Sequence, residues 1–278
     1  MVYDKILEFD IWSQFGSFNK PDSNQGGLLT YFIPPKTSII GIIGAVLGYK
    51  FDDYELDEQN RKVFAIEKFN DIKISIQPLF PFKVKRVTFN NLVSSTKIIN
   101  IKQDVLIKPY YKIYVSFPDY LVDDERLFEE YIKLNKSFFN LYMGRNEFLL
   151  NIKFCNSYEN VNCFELNNDN SVDFFNDSNE IHGSLNRKDV IKANLSKTIK
   201  SSRSLFSADN SFDLESYYEY LITDYPVKRE QFVQFSYSPI SFYSSPKEEN
   251  CYFSGILLKE NKSLKLYNIG GKKWISLI

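Results

Sequence analysis

Histidine occurs once in the 278 residues, and cysteine three times, at Cys155, Cys163 and Cys251. No two cysteines form a CxxC pair and the number is odd, so neither a zinc ribbon nor a disulfide frame is expected, and a reduced cytoplasm fits. A metal site built on His182 alone is not expected either, and no cofactor is implied. No apolar run reaches the roughly 18 residues that cross a bilayer; the longest, 39–49, is too short. The opening MVYDKILEFD carries acids and is not a secretory signal. No glycine precedes a Lys-Ser or Lys-Thr pair at P-loop spacing. Net charge is only −1, which argues against wholesale nucleic-acid affinity.

What is present is apolar and aromatic: 44% and 17% of the residues, enough for one large or two small domains at about 150 residues each. The charges are sorted. Lys83, Lys85, Arg86, Lys97, Lys102, Lys108 and Lys112 face Asp104 alone, and Arg187, Lys188, Lys192, Lys197, Lys200 and Arg203 face Asp189 alone. Acids gather at 54–58, 118–125 and 159–180. Sorting of this kind can make a locally positive surface on a neutral protein; ordinary solvated faces are the plainer alternative.

Along the chain, VYDKILEFDIW reads as a strand. After Pro34 and Pro35, Thr37 or Ser38 can cap a helix whose Ile39, Ile40, Ile42, Ile43, Val46 and Leu47 spread over a wide apolar face. Gly41, Gly44 and Gly48 share the opposite side, and each costs a helix interior about 1 kcal/mol relative to Ala. That stripe predicts close approach of another backbone and a helix buried on two sides. DIKISIQPLF (71–80) and VLIKPYYKIYVSF (105–117) read as strands, with the basic segment between them as a protruding hairpin. DERLFEEYIKLNKSFFN has helical spacing, and EFLLNIKFC (147–155) is a further strand. The order β-α-β-β-α-β is that of the ferredoxin-like fold, the architecture of RNA-recognition domains. The expected class is therefore α+β: a ferredoxin-like domain over 1–155 with an inserted hairpin thumb near 86–104, a flexible polar linker or insertion over 156–186, and a smaller β-rich domain over 187–278 packed on the first.

Lys36, Thr37 and Ser38 stand at a helix start, where free N–H groups and the dipole favour an anion. A phosphate contact and an ordinary cap both fit. Alternation puts Tyr110, Lys112 and Tyr114 on one strand face, suited to stacking bases over a basic groove or to an ordinary wet face. Metal-independent RNA cleavage needs a base, an acid and a cation. Only Tyr and Lys could serve here, with ordinary pKa values near 10, so no catalytic constellation is expected.

FDIWSQFGSFNKP followed by LLTYFIPPKTSIIGIIGAVLGY resembles the opening of the CRISPR-associated Cas-five family. The shared features are an aromatic loop after the first strand, a Phe-x-Lys element, Tyr-x-x-Pro-Pro, a Thr/Ser pair and a Gly-rich helix. LIKPYYKIYV (106–115) and YMGRNEF (142–148) resemble two later family motifs, and DYPVKREQ (224–231) a third. The resemblance implies a non-catalytic subunit of a type I Cascade complex, most like type I-B. Such a subunit would cap the 5′ handle of the crRNA, contact the backbone and large subunits, and meet target DNA only indirectly. Carried over by motif or by basic strand, the expected RNA-binding residues are Phe18, Lys20, Tyr31, Lys36, Thr37, Ser38, Lys83, Lys85, Arg86, Lys97, Lys108, Tyr110, Lys112, Gly144 and Arg145. The alternative is an endoribonuclease that processes precursor crRNA, as one subtype does with a Lys-His pair that has no counterpart here.

Overall fold

The computed structural model describes residues 5–21, 23, 27–50, 52–79, 83–94, 97–197, 218–230, 234–244 and 251–278. Lys200 and Arg203 of the second basic run lie outside them, and of Lys97 only the backbone is described. The first half contributes strand β1 (Lys5–Trp12), helix α1 (Lys36–Leu47), strand β2 (Lys73–Pro78), strands β3 (Val84–Ser94) and β4 (Lys97–Ile107), strand β5 (Tyr110–Ser116), helix α2 (Val122–Lys133) and strand β6 (Asn151–Glu159).

Four of these strands form one sheet in the order β6-β1-β5-β2, and every pair is antiparallel. Period-two alternation sends Leu7, Phe9, Ile11, Ile113 and Val115 to one side, where α1 and α2 cover them. Phe128 of α2 packs edge-on to Phe9 at 5.5 Å and lies 5.8 Å from Phe117. It is fully buried, so Phe128→Ala costs about 3–5 kcal/mol.

Between β2 and β5 the chain runs out and back as the β3–β4 hairpin, paired from Val84↔Leu106 to Ser94↔Lys97. The expected single strand over 105–117 is broken. Lys108 takes a left-handed φ of +50° and Pro109 follows, so β4 ends at Ile107 and β5 starts at Tyr110.

Residues 156–186, the expected polar linker or insertion, carry regular structure. They hold the end of β6, a strand Cys163–Leu166, a helix Ser171–Asn176 and a strand Glu180–His182. Their Asn and Asp make local turns: Asn167 Oδ1 accepts from the N–H of Asp169 and of Asn170, both at 3.0 Å. Phe164, Leu166, Phe174 and Ile181 meanwhile supply the apolar stripe of a second core. The two short strands enter a six-stranded sheet with Leu264–Asn268, Lys273–Ser276, Cys251–Leu258 and Val190–Lys197. The C-terminal region packs against the first half of the chain. The hairpin Tyr218–Glu230/Gln234–Ser244 buries Ile222, Tyr225, Ile240 and Phe242 in the first core. Tyr267, Ile269 and Ile275 pack on Ile6 and Tyr114, on the face of the first sheet opposite the helices.

The glycine stripe of α1 behaves differently from the sequence expectation. The expected close approach holds at Gly48 only: it is the left-handed C-cap, φ +91°, donates to Gly44 O at 2.9 Å, and a Cβ there would lie 2.8 Å from the Phe138 ring, whose backbone bonds the end of α1. A Cβ at Gly44 would meet only Tyr49, at 3.9 Å. Gly41 is exposed, and a Cβ there would have nothing within 4 Å. The helix is buried on its Ile face, while its Gly41 side opens onto a groove.

Candidate nucleic-acid interface

The loop after β1 is laced to both the hairpin and the 142–148 turn. Phe15–Gly16 pairs with Leu106 and Ile107 of β4, and Phe18–Asn19 pairs with Thr30–Tyr31. Ser17 donates its N–H to Met143 O at 3.0 Å and its hydroxyl to Asp104 O at 3.0 Å. Gly144 makes this possible. Its φ is +84°, and a Cβ there would fall onto the Ser17 carbonyl and the Phe18 ring.

Arg145, the next residue, reaches back to the hairpin. Its Nη1 donates to Gln103 Oε1 at 2.7 Å, and its Nε and Nη2 both donate to Glu147 at 3.2 Å. About a third of its side chain stays exposed (32%).

Helix α1 begins beside this turn. Its N-cap is Pro35, with no side-chain cap and no acid in the first turn. Thr37 and Ser38 thus lie inside the first turn, half-exposed, instead of capping it. The proline approach is pinned from outside, because Tyr225 OH donates to Pro34 O and Tyr31 OH to Asp224 O, both at 2.8 Å. The Lys36 N–H meets the Tyr225 hydroxyl, and the Ser38 and Ile39 N–H groups bond Pro35 O at 2.9 and 3.2 Å, so the Thr37 N–H and the positive end of the dipole are what remain for an anion.

Two cavities meet here. One, of about 340 Å³, lies at the head of α1 among Phe18, Thr37, Ser38, Pro226, Arg229 and Phe235. The other, of about 600 Å³, follows the flank of α1 past Gly44, Tyr49, Phe139 and Tyr142. Both are lined by Ser38, Gly41 and Gly144, so they form one groove. Arg229 stands at its head with the guanidinium 5.3 Å from the Phe235 ring; burial pulls its pKa down from the ordinary arginine value.

Several expected residues are placed elsewhere. Lys36 is 5% exposed and donates to Ile278 O at 3.1 Å, which turns its charge away from the groove. Burial first, then Lys228 and Lys73, lowers its pKa to about 8. Tyr31 is buried, its ring under Lys20 Nζ at 5.0 Å, so it anchors the loop while Lys20 remains half-exposed.

The Tyr110–Lys112–Tyr114 face is not an open stacking surface. Lys112 is ion-paired with Glu8 and lies 3.6 Å from Asp10, and Tyr110 OH donates to Asp10 at 2.6 Å. Tyr114 is buried under Tyr267 and Ile275. Despite its desolvation, the Glu8 hydrogen bond and charge hold the Lys112 pKa above its ordinary value. Glu8 and Asp10 share this face with Lys112 and, across β6, with Lys153, so its fixed charges balance and Lys112 is already paired, which leaves little net attraction for phosphate.

On the hairpin, Lys83, Lys85, Lys102 and Lys108 are exposed. Arg86 is exposed too, but its fork is held by Asp104 at 2.7 and 3.1 Å. His182, the sole histidine, is 2% exposed and bonds Glu180 at 2.9 Å; burial lowers its pKa. The expected set did not include Gln103, Glu147, Arg229 and Phe235, although Glu147 lies within YMGRNEF and Arg229 within DYPVKREQ. Gln103 carried a usable signal, a polar residue two positions from Val105 on the inward face of a strand.

No helix among the described residues is long and apolar enough to cross a membrane. The described residues also hold no group of three or more His, Cys, Asp or Glu side chains able to bind a metal ion.

A search of curated protein sequences found no match. Among solved structures, the chain is similar to a CRISPR protein from Archaeoglobus fulgidus at 8% identity, covering 98% of each chain with a TM-score of 0.45. It is similar to a chain of a CRISPR RNA-guided surveillance complex at 11% identity, covering 86% of this chain and 89% of that one, TM-score 0.43. A chain of a type III-B Cmr-beta complex matches at 8% identity, covering 89% and 86%, TM-score 0.39. The family model described as CRISPR-associated protein (Cas_Cas5) matches residues 6–163, more than half of the sequence, and the chain belongs to that family.

Proposed function

We propose that this protein is a non-catalytic, crRNA-binding subunit of a type I Cascade complex, closest to type I-B, and that it holds the 5′ handle of the guide. The observation that carries the reading is the single groove over α1. It gathers Phe18, Thr37, Ser38 and Gly144, four residues of the family motifs, and Arg145 follows Gly144 in the chain with its guanidinium held by Gln103 and Glu147. The helix start and Arg145 would take phosphates, and Phe235 and Tyr142 offer rings for unstacked bases, at about 1–3 kcal/mol per base; Phe18, expected to bind RNA, is 3% exposed and packs in the core, so it supports the loop instead. In this reading the β6-β1-β5-β2 unit is a ferredoxin-like domain. The β3–β4 hairpin is then its thumb, and Lys83, Lys85 and Lys102 extend the track.

The backbone and large subunits are the proposed protein partners, and target DNA is met only through them. Modest affinity of the isolated chain follows from its net charge of −1. The nuclease alternative has little to work with: the one histidine is buried in the second sheet, and Lys36 is turned inward. Pull-down of the tagged protein from its native host, with sequencing of bound RNA, tests the reading. Short RNAs sharing one repeat-derived 5′ end are expected. Recovery without RNA, or cleavage of repeat RNA in EDTA by the protein alone, would refute it.

A further inference from the structure

Arg145 is held by residues from two separate parts of the chain. Glu147, two positions on, takes its Nε and Nη2 side-on, and Gln103 of β4 takes Nη1. A guanidinium has five N–H donors. These three bonds leave one N–H on each Nη, the pair that a phosphate or carboxylate engages end-on.

Gln103 is the unusual member. It is 1% exposed, on the inward face that also buries Val105, where an apolar side chain would pack without any polar demand. Its Oε1 is used by Arg145, but its Nε2 is buried without a hydrogen-bond partner. A buried amide nitrogen left unmade beside a half-satisfied guanidinium marks a place where an acceptor oxygen belongs. Charge alone would also make Glu147 a poor neighbour for RNA. Its carboxyl is held below its ordinary pKa, first by the Arg145 hydrogen bond, so it remains ionised.

We infer that Gln103 and Glu147 are positioning residues that clamp the Arg145 guanidinium, leaving an outward pair of N–H groups that grips one phosphodiester of a bound RNA strand. The inference rests on the RNA-binding reading above. It also gives the hairpin base a role: because Gln103 belongs to β4, the grip on that phosphate fixes the hairpin against the Gly144 turn.

The two explanations of Glu147 differ in sign. A clamp predicts that removing the carboxylate weakens binding, while mere proximity predicts that removing a negative charge strengthens it. The test is fluorescence anisotropy of the full chain with a labelled single-stranded RNA copied from the host's CRISPR repeat. Arg145→Ala is expected to weaken binding about tenfold. Glu147→Ala, at a half-exposed site, and Gln103→Leu are each expected to weaken it about fivefold. In the Arg145→Ala background, Glu147→Ala should have no further effect. Arg145→Lys should not restore affinity, since an ammonium lacks the fork. Tighter binding by Glu147→Ala, or an equal loss with and without Arg145, overturns the clamp. If Arg145→Ala changes nothing, the RNA-binding reading of this face fails instead.

Discussion

Replacing Lys36 by methionine separates a buried structural lysine from a phosphate ligand. The ammonium is 5% exposed, and its pKa falls from the ordinary 10.5 to about 8, chiefly by burial. That difference of about 2.5 units, at about 1.4 kcal/mol each, means that folding with Lys36 charged costs about 3 kcal/mol at pH 7. The bond to Ile278 O returns about 1 kcal/mol. Methionine keeps the aliphatic stem and carries no charge, so Lys36→Met should stabilise the protein by about 2 kcal/mol at pH 7. Between pH 8 and 10.5 the unfolded chain binds more protons at this site than the folded one, so wild-type stability rises there relative to the variant. The advantage of methionine should therefore vanish near pH 10. Urea denaturation at pH 7 and pH 9.5 measures this, with RNA affinity expected to stay unchanged. A destabilised variant at pH 7, or a loss of affinity with a shallower salt slope, would show that Lys36 faces the ligand.

Gly144→Ala should destabilise the fold by about 2 kcal/mol or more, read by urea midpoint, because a left-handed φ and the Ser17 carbonyl both exclude a Cβ. Gly41→Ala should do the opposite, raising stability by about 1 kcal/mol since its Cβ meets nothing in the free chain. Gly41→Trp should fill the groove and weaken RNA binding in the same anisotropy assay, with the fold retained. Double charge reversal on the hairpin, Lys83→Glu with Lys85→Glu, should flatten the plot of log affinity against log salt. Each lost phosphate contact removes about 0.7 from the slope.

The sheet and both long helices were legible because period-two and helical spacing survive in an uninterrupted apolar pattern, as in Ile72, Ile74 and Ile76. The faces of β5 were legible too, with Tyr111, Ile113 and Val115 inward. What covers the other face was not, since nothing local to Lys112 announces Glu8 across the strand or Tyr267 from 155 residues later. The segment 156–186 misleads for a related reason: its Asn-rich turns have the composition of a linker, while four spaced apolar residues suffice for a core. At the site, Gly144 and Arg145 stand out in the sequence as a motif. Their partners Ser17 and Gln103 come from distant strands, so the reason for that motif emerges only when the chain is folded.

The central claim is that RNA runs over the α1 groove and the Arg145 turn, and not over the Glu8–Asp10 face of the sheet. Photocrosslinking of 4-thiouridine-substituted repeat RNA, followed by mass spectrometry of the crosslinked peptides, tests it directly. Crosslinks are expected at Tyr142 or Phe235. Crosslinks concentrated at Trp12, Tyr110 or Tyr158, beside those carboxylates, would contradict the account.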